Sequence, residues 1–144
     1  MLIAEILRSK GNKVATVRPN DTVERAVSML KEHGIGALVV SENGSTIDGI
    51  LSERDIVRAL ASHAASTLAM PVSQIMTADV VTCHPGSRTG ELMAMMTERR
   101  IRHIPVVNEG SLVGLVSIGD VVRVRLQELK DEAALLEEYI QHGR

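Results

Sequence analysis

Apolar positions along this chain switch between a helical and a strand period. Val23, Ala26, Val27 and Leu30 recur at i, i+3, i+4 and i+7, which predicts a helix. It starts after Pro19, with Asp21 three residues ahead of Glu24 at capping-box spacing, and it ends at Gly34. Ile35 to Val40 and Thr46 to Leu51 are rich in β-branched residues and are separated by Glu42-Asn43-Gly44-Ser45, the chemistry of an antiparallel hairpin. A second short helix carries Ile56, Val57 and Leu60, and Ser62 to Met70, rich in Ala and Ser, reads as a linker.

The pattern then returns. Pro19 falls on Pro85, and at a shift of 66 residues Ala26 pairs with Leu92, Val27 with Met93, Leu30 with Met96, Ile35 with Ile101, Leu38 with Ile104 and Val40 with Val106. At a shift of 65 the stretch Gly49 to Arg58 lies on Gly114 to Arg123, the skipped residue falling in the hairpin turn. At a shift of 69 the lead-in residues Ile3, Ile6 and Leu7 lie on Val72, Ile75 and Met76. Each repeat therefore reads as strand, helix, strand, strand, helix, an α+β unit of about 60 residues that hides too little surface to stand alone. Two such units are expected to pack face to face with pseudo-twofold symmetry and to leave clefts where they meet. The expected division is residues 1–61 for the first repeat with its lead-in, 62–70 for the linker, 71–126 for the second repeat and 127–144 for a helical tail.

In that tail Val122, Leu126, Leu129, Ala133, Leu136 and Ile140 follow at alternating spacings of four and three, an amphipathic coiled-coil seam. Such a stripe either folds back onto its own domain or pairs with a second subunit, making a homodimer.

Composition narrows the function classes. A net charge of −2 and a single aromatic residue, Tyr139, argue against nucleic acid as a partner, since base-stacking platforms need aromatic rings. The lone Cys83 forms neither an internal disulfide nor a multi-thiolate zinc site and fits a reducing compartment. No apolar run reaches the roughly 18 residues of a membrane-spanning helix, and Met1 to Gly11 lacks the apolar stretch of a signal peptide, so the expected location is cytoplasmic, without a membrane partner.

The candidate chemistry is the repeated string Gly-apolar-apolar-Ser-x-x-Asp, at Gly49 to Asp55 and Gly114 to Asp120, each at a strand-to-helix junction. One reading is structural: Ser52 with Asp55, and Ser117 with Asp120, are capping boxes. The other is functional. A helix start offers free N–H groups to phosphate or hydroxyl ligands, and an acid there accepts hydrogen bonds from a vicinal diol such as a ribose. The two are compatible.

Two copies of this helix-flanked pattern, together with the Ile101 to Val107 run, resemble a tandem pair of cystathionine β-synthase (CBS) domains over residues 2 to about 126. The resemblance implies a regulatory module that binds AMP, ADP, ATP, NAD(H) or S-adenosylmethionine between the repeats without chemistry on the ligand, usually as a dimer of pairs; no catalytic cofactor or metal is implied. Carried over by position, one cleft combines Ile50, Ser52, Arg54 and Asp55 with Thr77, Asp79, Val80, Ile101 and Arg102. The other combines Leu115, Ser117 and Asp120 with Lys13, Val14, Ile35, Gly36, Arg102 and His103. In that family the acids hold the ribose, the residues at the Ile50 and Leu115 positions sandwich the base, and basic residues near the strand meet the phosphate. The clefts are expected to be unequal, because Gly36 stands opposite Arg102 in the alignment, Arg54 opposite Gly119, and Val39 opposite Pro105.

Arg99 and Arg100 have a competing role at a helix C-terminus. The positive charge of Arg102 and His103 favours phosphate-bearing nucleotides over cationic S-adenosylmethionine. Other motifs fail on spacing. Gly34-Ile35-Gly36 lacks the third glycine of a dinucleotide fingerprint, and His33, His63, His84, His103 and His142 form no metal pair at i, i+4. Adjacent Cys83 and His84 point to opposite faces of a strand, so no thiol enzyme is expected. The function read from the sequence is an adenine-nucleotide sensor acting on an unidentified protein; a docking or dimerisation scaffold without a ligand is the alternative.

Overall fold

The computed structural model describes residues 1–11 and 13–143; Asn12, in the lead-in, and Arg144, the end of the expected tail, lie outside the described residues. The chain order is α1 (Ile3–Lys10), β1 (Thr16–Val17), α2 (Val23–His33), β2 (Ala37–Val40), β3 (Gly49–Ser52), α3 (Glu53–His63), 3-10 turns at Ala64–Ala69 and Val72–Gln74, α4 (Thr89–Arg99), β4 (His103–Asn108), β5 (Ser111–Ser117) and α5 (Ile118–His142).

The first sheet has the order β1-β2-β3, with β1 parallel and β3 antiparallel to β2. The second is the antiparallel pair β4-β5, bulged between Val106 and Val107. The β-α-β-β-α order is thus complete only in the first repeat. In the second, the opening strand is reduced to one parallel bridge between Cys83 and Val106.

Local chemistry accounts for the other departures. Helix α2 is capped by Thr22, whose hydroxyl accepts from Arg25 N at 3.2 Å, while Asp21 accepts from Arg18 N at 2.9 Å in the turn before it. The expected Asp21 cap is therefore one residue early: Thr22 satisfies an amide that the helix leaves free, while Asp21 closes the turn ahead of it. The first hairpin is shorter than expected, since Asn43 Oδ1 gathers Ser45 N, Thr46 N and the Thr46 hydroxyl at 2.8–3.1 Å and holds the chain in a broad turn. Ile35 and Gly36 lie just before β2 rather than within it. Ser62 to Met70 is not extended: it finishes α3 and continues as the 3-10 turn, with buried Thr67 donating to the Ala59 carbonyl at 3.1 Å.

The two repeats exchange their lead-ins. Ile3, Ile6 and Leu7 pack in one core with Leu92, Met96, Ile104, Val106, Val116 and Val121 of the second repeat. Val72 packs in the other core with Val17, Val23, Leu30, Leu38 and Leu51 of the first. The backbone follows the same symmetry. Ile3 N donates to the Ser87 carbonyl at 2.9 Å as Val72 N does to Asp21 at 2.8 Å, and Ala4 N donates to Pro85 as Ser73 N does to Pro19, both at 2.9 Å. Full burial of Ile3 and Val72 is worth about 1.5–3 kcal/mol each, so each lead-in is a structural part of the opposite repeat.

Glycines mark the tightest crossing points. A Cβ at Gly49 would stand 2.6 Å from Met76 Sδ and 2.9 Å from the Thr77 carbonyl oxygen, and one at Gly114 would collide with the end of Leu7. Each glycine of the repeated string thus admits the lead-in of the other repeat. The far part of α5 leaves the body, with Leu126, Leu129, Leu136 and Ile140 exposed, so the seam is not folded back on its own domain.

Candidate functional site

Both capping boxes are formed. At the start of α3, Ser52 Oγ accepts from Asp55 N at 3.3 Å, and Asp55 Oδ2 accepts from Ser52 N at 2.9 Å and from the Ser52 hydroxyl at 3.0 Å. At the start of α5, Ser117 Oγ accepts from Asp120 N at 3.2 Å and Asp120 Oδ2 accepts from Ser117 N at 2.9 Å. The structural reading of the repeated string therefore holds, and what separates the two junctions is what else reaches each acid.

At the first junction the β3 edge is closed by the opposite repeat. Ile50 and Thr77 exchange both backbone hydrogen bonds at 2.9 Å, and the Thr77 hydroxyl lies 3.4 Å from Asp55 Oδ1. Arg54 turns from α3 towards the Arg100 carbonyl at 3.4 Å, bringing its guanidinium beside the turn that leads into Ile101 and Arg102. Ile50, Ser52, Arg54, Asp55 and Thr77 thus lie around one junction. Asp79 is exposed, Val80 is half-buried, and Ile101 packs against the second core. No hydrogen bond joins Asp79 or Val80 to this cluster among the described residues.

At the second junction the position equivalent to the Thr77 amide is taken by a lysine. Lys10 Nζ donates to the Leu115 carbonyl and to Asp120 Oδ2, both at 2.7 Å. The cause lies in chain length: 12 positions run from Leu7 to Pro19 but only 9 from Met76 to Pro85. The three extra residues let α1 run for 8 residues, where the second lead-in makes only a 3-residue 3-10 turn, and Lys10 ends the longer helix. A flexible side chain then satisfies the carbonyl that a backbone N–H satisfies in the other copy. The family resemblance points to Lys13, which is exposed and makes no side-chain hydrogen bond or ion pair among the described residues. Lys10 is the residue missed, and its only signal was its position within the inserted turn.

His103 completes this junction. A Cβ at Gly36 would sit 3.3 Å from His103 Cε1 and 3.4 Å from Glu53 Oε1, so the glycine makes room for the imidazole. Burial and then the Lys10 charge hold His103 below the ordinary histidine range, Arg102 adding to this while Glu53 and Asp120 oppose it. Burial pushes the Asp120 carboxyl up, but hydrogen bonds from Lys10 and Ser117 outweigh it and leave the acid below the ordinary aspartate range. Arg123 lies 3.7 Å from its other oxygen. Ile35 packs beside the first core, and Val14 is half-buried.

Two open hollows mark the surface elsewhere. One, of about 540 Å³, lies between Thr16, Arg18, Arg25 and Asn43; the other, of about 430 Å³, lies between Leu7, Arg8, Gly11, Pro85 and Val113. Neither includes Asp55 or Asp120. No group of His, Cys, Asp and Glu among the described residues is arranged to hold a metal, and no helix among them is long and apolar enough to cross a membrane.

The CBS domain model matches this sequence twice, at residues 3–62 and 72–127. The chain belongs to the CBS domain family. It is 37% identical over 149 residues to the mitochondrial CBS domain-containing protein CBSX3 of Arabidopsis thaliana, covering 98% of this chain and 72% of that protein. A CBS-domain containing protein from Agrobacterium tumefaciens superposes with a TM-score of 0.84 at 42% identity, over 87% of this chain and 99% of its own. The CBS domain pair of protein MJ0100, solved in complex with methylthioadenosine and S-adenosyl-L-methionine, superposes with a TM-score of 0.79 at 26% identity, over 89% of this chain and 98% of that one. The two CBS repeats of the present chain are thus the two halves related by the exchanged lead-ins.

Proposed function

We propose that this CBS pair is a regulatory module that binds an adenine nucleotide, AMP, ADP, ATP or NAD(H), at the junctions between its repeats and does no chemistry on it. The observation that carries this reading is the twinned acid at a helix start, Asp55 and Asp120, each beside a strand residue of apolar character, Ile50 and Leu115. In the proposed complexes each acid accepts the ribose hydroxyls and Ile50 or Leu115 packs on the base. Thr77, Asp79, Val80 and Ile101 line the first site, and Lys13, Val14, Ile35 and Gly36 the second. Arg54, Arg102 and His103 face the phosphate. The MJ0100 complex supports the adenosyl class for a pair of this fold.

The functional division follows the repeats: 1–61, a connection at 62–70, 71–126, and a tail at 127–144 whose uncovered seam pairs with a second copy. Burial pushes the Cys83 thiol up to about 12, which supports an inert side chain rather than a nucleophile, in a reducing, cytoplasm-like compartment. A ligand-free scaffold is favoured by one observation, that these two hollows include neither Asp55 nor Asp120.

Thermal melts with AMP, ADP, ATP, NAD, NADH and S-adenosylmethionine separate the two. A nucleotide at 100 times its Kd adds about 2.7 kcal/mol of apparent stability. Asp55→Ala and Asp120→Ala are each expected to remove part of that shift, and the absence of any shift would leave the scaffold reading standing.

A further inference from the structure

We infer that Lys10 sets the charge of the ligand that the second junction accepts, admitting nucleoside phosphates and refusing neutral nucleosides and sulfonium compounds, whereas at the first junction no cation stands on the acid itself among the described residues. The inference rests on the nucleotide reading above and goes beyond it in assigning selectivity to a residue outside the repeated string.

A carboxylate offers about four acceptor positions on two oxygens. Asp120 Oδ2 already accepts from Ser117 N at 2.9 Å and Lys10 Nζ at 2.7 Å, and Arg123 stands off the other oxygen at 3.7 Å. A vicinal diol that takes both oxygens must therefore displace the ammonium. Lys10 then keeps the Leu115 carbonyl but loses its counter-charge, in a corner where Arg102, His103 and the more exposed Arg123 are the other basic groups and Glu53 the other acid. A ligand phosphate restores the balance, because the lysine exchanges one anion for another. A nucleoside brings no anion, and a sulfonium adds a further positive charge, so both leave the ammonium, whose side chain is 40% exposed, with water as its only counter-partner.

The first junction provides the contrast. Asp55 is hydrogen-bonded to Ser52 and Thr77, and among the described residues no lysine, arginine or histidine forms an ion pair with it. A diol there displaces at most neutral hydroxyls. A purely structural Lys10 would couple α1 to β5 and alter stability, but it would not alter the ratio between two ligands that differ only in a phosphate.

The test is calorimetric titration of the full chain with AMP and with adenosine, in an Asp55→Ala background that silences the first junction. With Lys10 present, AMP is expected to bind at least about tenfold more tightly than adenosine. Lys10→Met is expected to reduce that ratio to about threefold or less, Lys10→Gln to do the same, and Lys10→Arg to restore most of it. An unchanged ratio in a folded Lys10→Met or Lys10→Gln chain would overturn the inference while leaving nucleotide binding intact. So would an Asp55→Ala chain that binds neither compound while Asp120→Ala still binds AMP. No heat from either compound in the parent chain, Asp55→Ala and Asp120→Ala would overturn the nucleotide reading itself, and the selectivity assignment with it.

Discussion

Asp55 and Asp120 occupy the same place in the two repeats, and the same pair of capping hydrogen bonds joins each to its serine. Asp55 is half-buried and bonded to neutral groups; Asp120 is only 7% exposed and clamped by an ammonium at 2.7 Å. The difference originates far from the acids, in three residues that extend α1 by enough to deliver Lys10. A near-symmetric fold thus carries two chemically distinct junctions, because side-chain reach, not backbone position, decides what each acid meets.

That contrast can be broken at the glycines first. Gly49→Ala is expected to cost about 2–3 kcal/mol in urea unfolding, since the Thr77 carbonyl 2.9 Å from the new methyl belongs to a backbone bridge and cannot turn aside. Gly114→Ala meets only the end of the Leu7 side chain, which can rotate, and about 1 kcal/mol is expected. Equal losses would show that the two crossings are equally rigid.

The acids come next. Asp120→Ala is expected to lose about 2 kcal/mol, from the cap and the ion pair together, and Asp55→Ala about 1 kcal/mol from the cap alone, with the 40% exposure of the Lys10 side chain limiting the difference. The Asp120 carboxyl lies below its ordinary range in the folded chain. Its contribution is therefore full above about pH 4 and is lost as pH falls through the lowered value. Asp120→Asn should flatten that acid limb in melts recorded from pH 5 downwards, and an unaltered limb would rule out the Lys10 pair as its source.

The smallest effect is at His103. Its folded value lies below the ordinary one, so the folded chain binds the proton less readily and stability declines as pH falls from about 6.5 towards that lowered value. Lys10→Met removes a lowering charge. The His103 imidazole should titrate at higher pH by NMR and the decline should become shallower; a value unmoved by the substitution would place Lys10 too far away to matter.

Much of the fold was legible because repetition reports register. The shifts of 66 and 65 placed the helices, the hairpins and both Ser-x-x-Asp caps, whose side chains bond to amides three residues away and so act locally. What repetition does not report is which sheet a segment covers. Ile3, Ile6 and Leu7 have the right spacing for either core, and only packing sends them to the opposite repeat. In the second repeat the opening strand is reduced to the parallel bridge of Cys83 with Val106, which no spacing in the sequence foretells. Asp21 and Thr22 are both good caps, and spacing alone could not choose between them. Lys10 escaped because a lysine spans several ångströms of space unrelated to its sequence neighbours, and the family resemblance pointed to Lys13, three residues past the end of α1.

The crossing of the two lead-ins means that neither half owns a finished interior. A chain severed within residues 64–69 would leave the first fragment short of Val72 and the second short of Ile3, Ile6 and Leu7, yet each would carry the piece its counterpart lacks. Separately the fragments should stay unfolded; mixed, they should reassemble as a noncovalent pair. In the intact chain the same interlocking makes heat or denaturant dismantle both halves in one cooperative step.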